Sequence, residues 1–247
     1  MNSVGPSRQS LTSKPGPWTE LALTLPIFLS YQLGVVFLNV RNGTDVVSAE
    51  LLELSHGDRI TYLAVTALLG AAMITVFAAL GRGQVFQGRK FAQIAVEGAV
   101  YAVAMSTVAS WVVGKLFAGP SARAVVGVFP GLVMSLGAGF YEELAFRVVL
   151  FGLGSRLLVW LMSPSPGSRH REARGPGRVV VEAGWAVACA GIFSGVHYVG
   201  ALGDPFDGRS FVARGVLGLA LTTVYVTRGF ATAVWTHALY DIWVLVL

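Results

Sequence analysis

Gly137-Ala-Gly-Phe-Tyr-Glu142-Glu143-Leu-Ala-Phe-Arg147-Val148, GAGFYEELAFRV, carries two adjacent carboxylates and a guanidinium inside an apolar block that runs from residue 124 to residue 162. A soluble helix would keep such groups on a wet face, but the residues around them are apolar on every side of the helical wheel. Working outward, further apolar blocks follow at 18–40, 61–81, 91–114, 184–202, 211–227 and 229–247. Each approaches the ~20 residues that a helix needs to cross a ~30 Å hydrocarbon layer. Across the 247 residues 54% are hydrophobic and 13% charged, about half the ~25% charge of a soluble domain. The pattern predicts an all-α fold, a polytopic transmembrane bundle of about seven or eight membrane helices.

The block that holds GAGFYEELAFRV is the unusual one. As one helix, residues 124–162 would extend ~58 Å, so the block must break, tilt strongly or contain two elements. Pro130, Gly137 and Gly139 are available as breakers. Loop charge chooses between one crossing and two. With one crossing and a cytoplasmic N-terminus, the inside segments hold Arg8, Lys14, Arg82, Arg89, Lys90, Arg156, Arg169, Arg171, Arg174, Arg178 and Arg228, the positive-inside pattern. Two crossings reverse the bias. Seven crossings are therefore expected, with the GAGF region as a bend or re-entrant element.

The remaining organisation is simple. Residues 1–17 read as a disordered polar tail ending at an interfacial Trp18, and residues 18–247 as a single transmembrane domain with a motif-bearing core at 124–247. The first block is too long for a signal-peptide core and lacks a cleavage site, so it should stay as a helix, with Pro26 a site for a kink. The loop 163–183 is a basic connector. Cys189, the one cysteine, lies in an apolar block and reads as packing. The net charge of +5 sits in short loops rather than in a patch laced with aromatics, which argues for orientation in a lipid bilayer and no nucleic-acid partner.

A charged side chain at a bilayer centre costs ~2.5–3.5 kcal/mol even on an insertion scale, so such residues face a bundle interior or a wet cavity. Six stand out: Glu142, Glu143, Arg147, His197, His237 and Asp241. Glu143 and Arg147 are four positions apart on a helix and can pair. Glu142 points ~100° away and is left free toward another helix, where it would serve as a proton acceptor. His197 closes Phe193-Ser-Gly-Val-His197. His237 and Asp241, in His237-Ala-Leu-Tyr-Asp241, share a helix face. A lone histidine in an apolar helix is more often a packing residue than a catalytic one; two of them with a free carboxylate form a candidate catalytic set.

The ordered trio EExxxR, FxxxH and HxxxN/D, each in a hydrophobic segment, resembles the CAAX-protease and bacteriocin-processing family of intramembrane glutamate-type endopeptidases, which includes the eukaryotic Ras-converting endoprotease. The resemblance covers residues 124–247. It implies proteolysis within or at the edge of the bilayer. Glu142 and His197 would activate a water, His237 and the residue at 241 would stabilise the oxyanion, and Glu143 and Arg147 would support the first helix. Two departures are visible: position 241 is Asp where the family often has Asn, an amide donor, and Val148 stands where a glycine is common. An ionised Asp241 can only accept, so an alternative role is to orient His237.

The resemblance implies no cofactor. A catalytic zinc held by His197, His237 and either Glu142 or Asp241 is a competing reading, since two imidazoles and a carboxylate suffice for an open site, although no HExxH is present. The implied partner is a membrane-protein or peptide substrate. Richness in Ala, Val, Gly and Arg suits a GC-rich bacterial genome, so the expected location is the bacterial cytoplasmic membrane and the expected work is processing or sorting of a membrane-anchored peptide. A different class also remains: a non-enzymatic immunity protein against a peptide toxin, or a proton-coupled transporter using the same groups as a relay. Glu97 reads as a group that faces the cavity or hydrogen-bonds in the bundle. His56 and His170 read as solvated, Asp204 and Asp207 as a turn, and Asn42-Gly-Thr44 as a glycosylation sequon with no secretory signature beside it.

Overall fold

The computed structural model describes residues 14–38, 40–45, 50, 53, 58–80, 88–117, 127–162, 176–200 and 203–247. Residues 1–13 of the expected N-terminal tail, residues 163–175 of the basic loop, His56 and His170 lie outside them. The described residues form seven helices: α1 (Pro17–Leu38), α2 (Arg59–Leu80), α3 (Gly88–Leu116), α4 (Val128–Met162), α5 (Pro176–Val196), α6 (Gly208–Arg228) and α7 (Phe230–Leu245). Six of them, α1 to α6, are long and apolar enough to cross a membrane. The protein is a multi-pass membrane protein.

The odd block behaves differently from expectation. Residues 128–162 form one uninterrupted helical run, with no break at Gly137 or Gly139. The winding changes instead. From Ala138 to Leu153 the helix is π-type, with i→i+5 hydrogen bonds that take more residues per turn and so shorten the rise. The 35-residue run still exceeds a ~30 Å hydrocarbon layer. Pro130 sits in the first turn of α4, where its missing N–H has no partner to lose. The π segment is wrapped all round at its start: Gly137 and Ala138 through Glu143 are all buried.

Helix α7 is the centre of the bundle, packing against α1, α3, α4 and α6. Its 16 residues extend only ~24 Å, short of a full span, and Ala231–Val234 and Thr236–Ala238 are buried. With no hydrophobic drive between helices in lipid, such packing depends on small residues that let backbones approach. Gly139 of α4 is one: a Cβ there would meet Ala238 and the Val234 carbonyl of α7. Gly229 is another necessity, because φ +97° at the single residue between α6 and α7 turns the chain sharply. The N-terminus of α7 is capped from α1, since the Glu20 carboxylate accepts from the backbone N–H groups of Phe230 (3.2 Å) and Ala231.

Helix α1 contributes more than a lipid-facing wall. It carries Pro26 internally without ending, and packs Ile27, Phe28, Tyr31 and Val35 against Phe140, Tyr141 and Val234. Its polar residues point inward as well. Gln32 donates to the Tyr141 hydroxyl (2.5 Å) and accepts from the Tyr62 hydroxyl of α2 (2.9 Å). At the other side of the bundle Glu97 of α3 binds Arg228 of α6 in a two-pronged pair (2.7 and 2.9 Å) and accepts from Gln93 (2.5 Å). Glu97 thus serves helix packing.

Candidate active site

Four segments bring the ionisable groups together: the π segment of α4 presents Glu142, Glu143 and Arg147, the end of α5 presents His197, α7 presents His237 and Asp241, and the turn after α1 presents Asn42. The two neighbouring carboxylates divide their work by direction. Glu143 is fully buried, and its Oε1 lies 3.1 Å from Arg147 Nη1 and 2.7 Å from His237 Nδ1. Its Oε2 has no hydrogen-bond partner among the described residues, so one oxygen carries both contacts. The Arg147 guanidinium lies 4.5 Å over the Phe193 ring and donates from Nη2 to the Gly218 carbonyl (3.3 Å). A desolvated cation on a ring face gains up to ~2 kcal/mol.

Glu142 faces the other way. Its Oε1 accepts from Asn42 Nδ2 (2.9 Å), while its Oε2 lies 3.9 Å from His197 Nε2 and 3.9 Å from His237 Nε2. That spacing is too long for a direct hydrogen bond and leaves room for one water ~2.8 Å from each group.

The imidazoles are each held by the nitrogen that faces away from Glu142. His197 Nδ1 lies 2.8 Å from the Phe193 carbonyl one turn earlier; a carbonyl only accepts, so Nδ1 carries a proton and the neutral ring turns the Nε2 lone pair toward Glu142. His237 Nδ1 likewise donates to the Glu143 carboxylate. Its Nε2 faces Glu142 and, at 3.6 Å, Asp241 Oδ2. Asp241 therefore lies on the Glu142 side of the ring, and the hydrogen bond that orients the ring comes from Glu143. Phe193 is the wall between these groups, edge-on to His197 (5.2 Å between centroids), His237 (6.0 Å) and Phe146 (5.1 Å).

The rims differ. Half-exposed groups cluster near His197, where Arg214 pairs with Asp204 (2.6 Å) and stacks on Tyr198 (5.3 Å), and Tyr198, Phe206 and Phe211 form an aromatic group. The backbone N–H of Asp204 donates to the His197 carbonyl (2.8 Å), which ties the turn beyond α5 back to the histidine. Asp204 is thus more than a turn residue.

Donors on a tetrahedral zinc lie ~2.0–2.2 Å from the metal, which brings them closer to one another than the 3.9 Å separations around Glu142. Among the described residues no group of three His, Cys, Asp or Glu side chains has the arrangement of a metal site.

Residues 124–243 match the family described as type II CAAX prenyl endopeptidase Rce1-like. Residues 124–243 carry an Rce1-like domain. The match spans the π segment, His197, His237 and Asp241, the residues that the geometry gathers around Glu142, and ends before the last four residues. It excludes α1, α2 and α3, so Asn42 lies outside it. No curated protein and no solved structure matches the chain significantly. The Rce1-like domain identifies a membrane-embedded protease family, and with it a peptide or protein substrate.

Sequence reasoning missed two connections. Asn42 was readable only as a sequon, and its signal as a site residue is absent because the partner is a hundred positions away. The bond from Glu143 to His237 was equally invisible, although two intramembrane ionisable groups left near each other are candidates to pair.

Proposed function

We propose that the Rce1-like domain is a metal-free intramembrane endopeptidase that uses Glu142 and His197 to activate a water against a peptide carbonyl. The observation that supports this reading is the placing of Glu142 Oε2 at 3.9 Å from the Nε2 atoms of both histidines. A water between Glu142 and His197 donates one hydrogen to each and turns an oxygen lone pair outward. As its oxygen bonds to the carbonyl carbon, one proton passes to the Glu142 carboxylate, and the carbonyl π electrons move onto oxygen. His237, protonated at Nε2, donates to that oxyanion; a donor in a dry site contributes ~3–4 kcal/mol. Collapse of the tetrahedral adduct breaks the C–N bond, and the proton held by Glu142 goes to the departing amine.

In this reading Glu143 and Arg147 position the machinery. The ion pair holds the carboxylate that holds His237 Nδ1, so the ring presents Nε2 to Glu142. The substrate class is a peptide segment of a membrane-associated bacterial protein, cleaved for C-terminal processing or sorting.

The test is cleavage of candidate membrane peptides by protein reconstituted in lipid nanodiscs, wild type against Glu142→Gln, with and without a strong chelator. Cleavage that survives the chelator and disappears in Glu142→Gln is expected. Loss on chelation with recovery on adding zinc would overturn the metal-free reading. Equal behaviour of wild type and Glu142→Gln would point instead to an immunity or transport role.

A further inference from the structure

The turn after α1 is built around Asn42. Its Oδ1 accepts from the Thr44 backbone N–H (2.8 Å) and the Thr44 hydroxyl (2.5 Å). A backbone N–H can only donate, so this end of the amide must be the oxygen and the other end, Nδ2, must be the donor. That donor meets Glu142 Oε1 at 2.9 Å. The backbone of the same residue is tied down too: Asn42 N–H donates to the Tyr31 hydroxyl (3.0 Å), which donates to Asp45 Oδ2 (2.7 Å). Tyr31 is fully buried, and Asn42 and Asp45 are 7% and 1% exposed. The side chain is thus fixed in place, in direction and in polarity before it touches the carboxylate. The same contact removes the sequon from consideration, since Nδ2 faces the bundle interior.

We infer that Asn42 is a positioning residue for Glu142, which makes the α1 segment, outside the Rce1-like match, a working part of the active site. With Oε1 anchored, rotation of the carboxylate about its last bond is blocked, and Oε2 stays between the two imidazoles. An unanchored Glu142 has a direct alternative, because either oxygen could swing toward the other polar groups of the cavity. The inference rests on the proposed role of Glu142 as base.

Asn42→Ala removes the donor, and Asn42→Asp keeps size and the Oδ1 acceptor while setting a second carboxylate against the first. In nanodiscs, with the peptide that wild type cleaves, both should lower kcat per folded protein ~10- to 100-fold, the scale of an ångström of misplacement, with KM close to wild type and Asn42→Asp the worse of the two; the lost Thr44 bonds in Asn42→Ala and the second buried carboxylate in Asn42→Asp also lower the unfolding temperature. Unchanged kcat, or a loss that appears in KM alone, overturns the inference. An infrared readout separates it from the protease reading. The Glu142 carboxyl band, identified as the band lost in Glu142→Gln, should move in both Asn42 variants even if no peptide is cut. A band that stays in place in both overturns the inference whatever the activity.

Discussion

Gly139→Ala tests how closely the helix of the carboxylates must approach the helix of the histidine. The added Cβ would stand 2.8 Å from Ala238 Cβ and 2.9 Å from the Val234 carbonyl oxygen, whereas carbon atoms in contact settle at ~3.5–4.0 Å. The obstacles are a methyl fixed to the backbone and a backbone oxygen, so α4 and α7 must separate by ~0.7–1 Å. That displacement takes the Glu143–His237 bond from 2.7 Å to ~3.5 Å, past the range of a hydrogen bond. The strain of an overpacked contact costs ~1–3 kcal/mol and a lost bond to a charged group ~1.5–3 kcal/mol. Cleavage should fall ~100-fold, with a lower unfolding temperature. Gly191→Ala on α5, where a Cβ meets nothing within 4 Å, is the control and should do neither. Wild-type cleavage and stability in Gly139→Ala would refute the view that this contact sets the position of His237.

Substitutions at two further positions probe the polar interior. Arg147→Ala leaves the fully buried Glu143 without its cation and should cost ~3–5 kcal/mol, seen as loss of folded protein by size exclusion; Arg147→Lys should restore little, because an ammonium cannot both stack on Phe193 and reach Gly218. Asp241→Asn keeps the volume and supplies an amide donor beside His237 Nε2, so cleavage should match or exceed wild type, whereas Asp241→Ala supplies no donor and should not exceed it. Equal loss in both would mean that the carboxylate charge is what position 241 supplies.

The all-helical membrane architecture was legible because apolar blocks of membrane length state their own solvent, and the backbone has few ways to satisfy its polar groups there. The pairing of Glu143 with Arg147 was legible for a similar reason: four positions along a helix is a local distance. The three polar motifs stood out because ionisable groups in lipid are costly. No re-entrant break occurs at GAGF: the helical run continues through it with a change to π winding, and Gly139 is a contact surface for α7. Residue patterns cannot distinguish a glycine that bends a chain from one that admits a neighbour.

What the amino-acid sequence determined alone was a set of properties that depend on neighbours a few residues apart: the spans, the helix faces and the salt-bridged turn of α4. What the tertiary structure decided was which face meets which. Glu142 lies 3.9 Å from histidines on two other helices and 2.9 Å from Asn42, and Glu143 reaches His237. Contacts of this kind rest on how close whole helices come, which is set by small residues such as Gly139 and by the cap that Glu20 places on α7, and no local pattern carries that distance.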